Sequence, residues 1–165
     1  MLNEIKLCEV CGKKDLKTVL NLGLHPMCDD IVKINSPRVC NEYPIEIMFC
    51  NQCKTAHQRY QVPKEELFPS SYHYRSRFTK DVLTGMSDFV DACEFHLSSL
   101  EGKTVLDVGC NDGSLLGFFR NKGALTIGVE PTDAADEAFS SGHIVYKDYL
   151  LIENAERIIR EYGNP

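Results

Sequence analysis

The chain has 165 residues, a net charge of −6 at pH 7, and is 43% hydrophobic and 25% charged. That is room for one domain or two small ones of ordinary soluble composition. The acidic balance argues against a broad nucleic-acid footprint. No apolar run approaches the ~20 residues a bilayer span needs, and the N-terminus lacks a signal peptide's apolar core. The expected compartment is therefore the cytosol, with no membrane partner.

Of the eight cysteines, six fall within the first 53 residues. In a reducing compartment such pairs read first as metal ligands. Cys8-Glu-Val-Cys11-Gly12 and Cys50-Asn-Gln-Cys53 are two knuckles of equal spacing, and four sulfurs suit a closed tetrahedral zinc site. A redox pair would be expected beside a βαβ pattern, which this segment lacks. Between the knuckles, Tyr43-Pro-Ile-Glu-Ile-Met-Phe49 alternates Ile45, Ile47 and Phe49 and predicts a strand running into the second knuckle. Cys28 and Cys40 are alternative ligands by type, but lone cysteines are more often small buried hydrophobes. His57 reads as structural or surface, since one ion needs only four ligands. The expected N-terminal module spans residues 1–62. Its core is small enough that metal binding would contribute folding free energy directly.

Residues 63–102 read as a connector and a long helix. Tyr72, His73, Tyr74, Arg75 and Arg77 concentrate aromatic faces and positive charge. That composition suits an anionic ligand with a flat ring, or an ordinary aromatic anchor with its arginines in solvent. Phe78, Val82, Met86, Phe89, Cys93, Leu97 and Leu100 show helical spacing, with Ser76 as N-cap and Gly102 as stop.

From residue 103 onward the pattern is that of a doubly wound α/β sheet. Thr104-Val-Leu-Asp-Val108 predicts a strand, the turn with Gly109 and Gly113 follows, and Leu115, Leu116, Phe118 and Phe119 predict a helix. Leu125-Thr-Ile-Gly-Val129 predicts a second strand ending in Glu130-Pro131. A dinucleotide fingerprint wants a glycine where Asn111 stands, and Asp107 and Asp112 put negative charge where a pyrophosphate would lie. S-adenosylmethionine, cationic and free of phosphate, fits better. Glu130, about 20 residues on, is placed to accept ribose hydroxyls. Thr132 predicts the N-cap of a helix over 132–139, Ile144-Val-Tyr146 a third strand, and Ile152–Tyr162 a last helix. Asp148 is placed to reach an adenine amino group or to cap that helix. His143 shows no evident partner. The chain then stops, so residues 103–165 read as the N-terminal half of a doubly wound domain. An unpaired strand edge would favour self-association.

The ordered motifs resemble the N-terminal part of the zinc-containing S-adenosylmethionine-dependent sugar C-methyltransferases. They are Cys8-x-x-Cys11-Gly12, the Leu22-Gly23 and Pro26 turn, Tyr43-Pro44, Cys50-x-x-Cys53, Gln58, Leu67-Phe68, Tyr72-x-Tyr74-x-Ser76, Gly109-x-Asn-Asp-Gly113 and Gly128-Val-Glu-Pro131. The resemblance implies a zinc module followed by a class I methyltransferase, Rossmann-like sheet. It implies methylation of a carbon beside the ketone of a nucleotide-linked sugar, through proton abstraction and attack on the sulfonium methyl. It assigns zinc to Cys8, Cys11, Cys50 and Cys53. It assigns the cofactor to the loop with Gly109, Asn111, Asp112 and Gly113 and to Glu130 and Pro131, to which the reading of the residues adds Asp107 and Asp148, and it assigns ligand contacts to Tyr72 and Tyr74. The family's base lies beyond a fourth strand, so no catalytic residue carries over, and the chain is expected to bind cofactor without turning over alone. Cys110 and Arg75 depart from the family pattern. The competing readings are a non-catalytic zinc-ribbon interaction module and a nicotinamide-dependent enzyme, the latter disfavoured by Asn111 and Asp112.

Overall fold

A computed structural model describes residues 2–27 and 30–163. The chain forms two compact units, Met1–Leu67 and Phe68–Pro165.

In the first unit, β1 (Asn3–Glu4) pairs antiparallel with β5 (Tyr60–Gln61). β2 (Leu16–Pro26), β3 (Glu42–Cys50) and β4 (Ala56–Gln58) form an antiparallel sheet in the order β2-β3-β4. One turn of helix, α1 (Lys64–Leu67), follows. The strand expected over 43–49 is present and one residue longer at each end. The stretch expected as a turn, Leu22-Gly23 to Pro26, instead belongs to β2, where Gly23 pairs with Ile45 and Pro26 with Glu42. Register shifts between Thr18 and Leu20 and between Asn21 and Gly23 absorb the irregularity. At the second of these Gly23 takes φ 81°, which glycine adopts at little cost, and donates its N–H to Asn21 Oδ1 at 2.8 Å.

The buried apolar side chains of this unit, among the described residues, are Ile5, Cys8, Met48 and Cys50. Two of the four are cysteines, so burial alone gives little stability. β2 meanwhile leaves Val19, Leu20, Leu22 and Leu24 exposed.

In the second unit a 3-10 turn, Ser76–Phe78, leads into α2 (Lys80–Leu97). β6 (Thr104–Val108), α3 (Ser114–Asn121), β7 (Leu125–Val129), α4 (Ala134–Ser140), β8 (Ile144–Tyr146) and α5 (Ile152–Tyr162) complete it. The three strands form a parallel sheet in the order β6-β7-β8. Alternation along β7 divides the core between two faces. Ile127 and Val129 pack with Ile158 of α5. Gly128, pointing the other way, lies under Cys110 and Leu116, which pack with Ala138 of α4. A further cluster joins Val90 of α2, Leu100, Phe119 and Ala124. Helices therefore cover both faces, as the near-continuous apolar β7 requires.

Three expected helix ends move. α2 starts at Lys80 because the Ser76 N–H is taken by Asn111 Oδ1 at 3.0 Å, and it ends at a left-handed Ser98 rather than at Gly102. α4 starts at Ala134, whose N–H reaches Thr132 Oγ1 at 3.3 Å, so Thr132 still serves the first turn. His143 does have a partner: its Nδ1 lies 2.8 Å from Thr126 Oγ1 in the interior.

Candidate functional site

The first unit brings its two cysteine pairs together through the hairpin. β2 and β3 meet in a register that sets Leu16 opposite Cys50, so both knuckles lie at the same end of the sheet. Each knuckle is a tight turn with the same backbone bond. The Gly12 N–H donates to Cys8 O at 2.7 Å, and the Lys54 N–H donates to Cys50 O at 2.9 Å. Lys54 takes the left-handed backbone, φ 63°, that glycine supplies at position 12.

The result is a cluster in which the four Sγ atoms of Cys8, Cys11, Cys50 and Cys53 all lie within 4.8 Å of one another. Cys8 Sγ is 3.4 Å from Cys53 Sγ, and Cys11 Sγ is 3.7 Å from Cys50 Sγ. A tetrahedron with Zn–S bonds of about 2.3 Å has edges of roughly 3.8 Å, so the donor set fits zinc in number, type and spacing. The thiols of the cluster titrate together: Thr55, through its hydroxyl and then its amide, lowers Cys53, whereas Cys11, against the lowering bond from the Lys13 backbone, is raised by burial and the three neighbouring sulfurs.

His57 belongs to the surroundings of this cluster rather than to the surface. Its side chain is 6% exposed, its Nε2 lies 3.1 Å from Cys8 Sγ, and its Nδ1 lies 3.9 Å from a Glu9 carboxylate oxygen. β4 pairs His57 with Met48 and so turns it toward the interior. Cys40 stands apart from the cluster, with its thiol donating to Asp30 O at 3.2 Å. Cys28 lies outside the described residues.

The second unit carries a cleft of about 470 Å³ at the carboxyl ends of β6 and β7. It is lined by Gly109, Asn111, Glu130 and Pro131, by Asp148 and Tyr149, and by Phe68, Tyr72 and Tyr74, and the Tyr149 hydroxyl donates to Phe68 O at 3.0 Å. Glu130 is buried and held at both oxygens. Oε2 accepts the Asn111 N–H at 3.0 Å, while Oε1 accepts the Thr132 N–H at 2.9 Å and the Thr132 hydroxyl at 2.6 Å. Each carboxylate oxygen has two lone pairs, so acceptor capacity remains. Lys, Arg and His are missing from this lining among the described residues, which leaves Glu130 and Asp148 as its charged groups.

Residues 8–68 match a family model described as a zinc binding domain of methyltransferases. A curated relative, C-methyltransferase NovU of Streptomyces niveus, is 26% identical over 125 residues, which is 75% of this chain and 30% of that protein. Over that span the chain is similar to this C-methyltransferase, and its N-terminal part matches a zinc-binding domain. It spans about a third of the length of the curated relative it matches. The matched domain contains all four clustered cysteines and His57.

Not every expected cofactor residue lines the cleft. Gly109, Asn111, Glu130, Pro131 and Asp148 do, with Tyr72 and Tyr74. Asp107, Asp112 and Gly113 stand outside that lining. Burial, and then the nearby Glu130 charge, raise the Asp107 carboxyl above its ordinary value. Asp112 Oδ1 accepts the Ser114 N–H at 3.1 Å and its hydroxyl at 2.6 Å, at the start of α3. Gly113 is packed against Ala138 and His143. Cys110, the departure from the family pattern, is a packing thiol. Burial, with Asp107 and Glu130 adding to it, pushes it up to about 12.

The arginines of the connector do not face the cleft. Arg75 donates to Glu137 Oε1 at 2.7 Å and to the carbonyls of Tyr72 and Tyr74 at 2.7 and 2.9 Å. Arg77 pairs with Glu137 and lies 3.5 Å from Asp112 Oδ2. The expected concentration of positive charge is thus spent inside the unit, and what the cleft receives from this segment is its tyrosines.

Proposed function

We propose that this chain is the zinc-binding and cofactor-binding portion of an S-adenosylmethionine-dependent C-methyltransferase whose acceptor is a nucleotide-linked keto-sugar. One observation supports the cofactor above all: the cleft pairs two carboxylates with aromatic walls and carries no cationic side chain. A pyrophosphate would meet Glu130 and Asp148 without a counter-charge, whereas a sulfonium with an ammonium group is attracted by both. The bound cofactor would supply an electrophilic methyl group.

The chain's own residues do the rest of the holding. Glu130, fixed by Asn111 and Thr132, offers its remaining lone pairs to ribose hydroxyls. Gly109 lets the backbone of the loop approach, and Asp148 accepts from an exocyclic amine. Tyr72, Tyr74 and Phe68 supply apolar faces that keep water from the ligand. Acceptance of carbon follows the relative's activity, and the keto-sugar follows the ordered motifs. The proton abstraction beside a ketone is assigned to no residue of this chain.

Isothermal titration of the zinc-loaded chain with S-adenosylhomocysteine is the test. The expected result is saturable one-to-one binding. Thermal stabilisation by NADH together with none by S-adenosylhomocysteine would overturn the reading. The exposed apolar row on β2 favours a second reading, a zinc module that binds another protein. A strictly monomeric mass over a wide concentration range argues against self-assembly through that row.

A further inference from the structure

Asn111 and Asp112 occupy the middle of the glycine turn, where a ligand contact is the ordinary expectation. Their side chains do something else. Asn111 Oδ1 accepts the Ser76 N–H at 3.0 Å, and Asn111 Nδ2 donates to Tyr74 O at 3.1 Å. Asp112 Oδ2 accepts the Arg77 N–H at 3.0 Å. The carboxamide thus pairs with the carbonyl and the N–H that flank Arg75, as a neighbouring strand would, and the carboxylate takes the next donor along. Arg75 closes the same segment from the other side, through the Tyr72 and Tyr74 carbonyls and Glu137.

We infer that Asn111 and Asp112 are positioning residues, which hold residues 74–77 by their backbone and so set Tyr72 and Tyr74 as a wall of the cleft. Their side chains bond to the connector. This explains why an asparagine stands where a dinucleotide turn has glycine. Asn111 sits in left-handed backbone, φ 51°, which glycine adopts more readily than any residue with a side chain. Glycine would fit that backbone but has no carboxamide, and the bonds to the connector are what the carboxamide adds. The inference rests on the cofactor reading for the identity of the ligand, but not for the attachment of the segment.

The test is a pair of measurements on the full chain, zinc-loaded. Amide hydrogen exchange is followed at Ser76 and Arg77, and S-adenosylhomocysteine affinity is measured by calorimetry. Asn111→Gly is expected to speed exchange at Ser76 at least tenfold while β7 and α3 amides stay as protected as before. Affinity should fall about tenfold, and the melting temperature should hold or rise. Asp112→Asn keeps an acceptor and should preserve protection at Arg77. Asp112→Ala should lose it. A general loss of packing would instead speed exchange throughout the sheet.

Unchanged exchange at Ser76 in Asn111→Gly overturns the inference, as does a fall in affinity with exchange unaltered, which would make Asn111 a direct contact. If the wild-type chain binds no S-adenosylhomocysteine, the cofactor reading fails, and the exchange data still decide the attachment.

Discussion

Substituting Gly128 by alanine tests the packing that carries the cleft. A Cβ at this position would lie 2.4 Å from Cys110 Sγ, 3.0 Å from Cys110 Cβ and 3.1 Å from Leu116 Cδ1. Cys110 is 4% exposed and Leu116 fully buried, so neither has solvent to move into. The backbone has little freedom either, because Gly128 is opposite Asp107 on one side and Val145 on the other. Overpacking of this kind costs about 1–3 kcal/mol or more, and replacing glycine in a strand returns about 0.5–1 kcal/mol of chain entropy. With contacts this short the cost lies at the upper end, and a net loss of about 2 kcal/mol is expected. For a unit of about 100 residues that is a drop of roughly 8–16 °C in melting temperature. The long helices all belong to this unit, so far-UV circular dichroism at helical wavelengths reports it with the metal kept saturating. Cys110→Ala alone removes a buried sulfur and should cost about 1 kcal/mol. The double variant should be no less stable than Gly128→Ala alone, a coupling of about 1–2 kcal/mol. Strictly additive losses, or a Gly128→Ala melting temperature within about 3 °C of wild type, would refute the reasoning.

Elemental analysis should find one zinc per chain, and Cys8→Ser or chelation should unfold the first unit while α2–α5 keep their circular dichroism, in keeping with the small apolar core around Cys8 and Cys50. Replacing His57 by phenylalanine removes the ring nitrogen 3.1 Å from Cys8 Sγ, and transfer of zinc to a colorimetric chelator should accelerate several-fold. Burial, and then Arg120, lower the pKa of His143 from its ordinary 6.5, so the folded state favours the neutral ring. The stability this gives is present above pH 6.5 and declines as pH falls below it. His143→Gln, measured by urea unfolding of the second unit, should show a flatter decline between pH 6.5 and 5 than wild type.

The sheet was legible because its signals are local: an apolar run, a glycine turn and a helical stripe repeat from residue 104 to 162. The knuckles were legible for the same reason, since two C-x-x-C pairs announce themselves by spacing. What escaped was set by partners distant in sequence. Nothing near His57 indicates that β4 would carry its ring to Cys8. The charge at Arg75 and Arg77 looked available until Glu137, 60 and more positions later, took it up. That the Asn111 and Asp112 side chains also hold residues 74–77 shows only in the fold, because those partners lie 35 and more positions away. Gly23 looked like a turn because a bulge and a turn ask the same backbone of glycine.

The hairpin register has a consequence for assembly. Sliding β3 by one residue against β2 would shift Cys50 by about 3.3 Å and send its side chain to the opposite face, and sliding by two would shift it by nearly 7 Å. A zinc ion accepts sulfur only within about 0.2 Å of its preferred bond length. Misaligned hairpins therefore cannot close the site, and metal in the medium draws the population toward the one alignment that can. A bound ion would therefore stabilise the observed strand pairing over every slipped one.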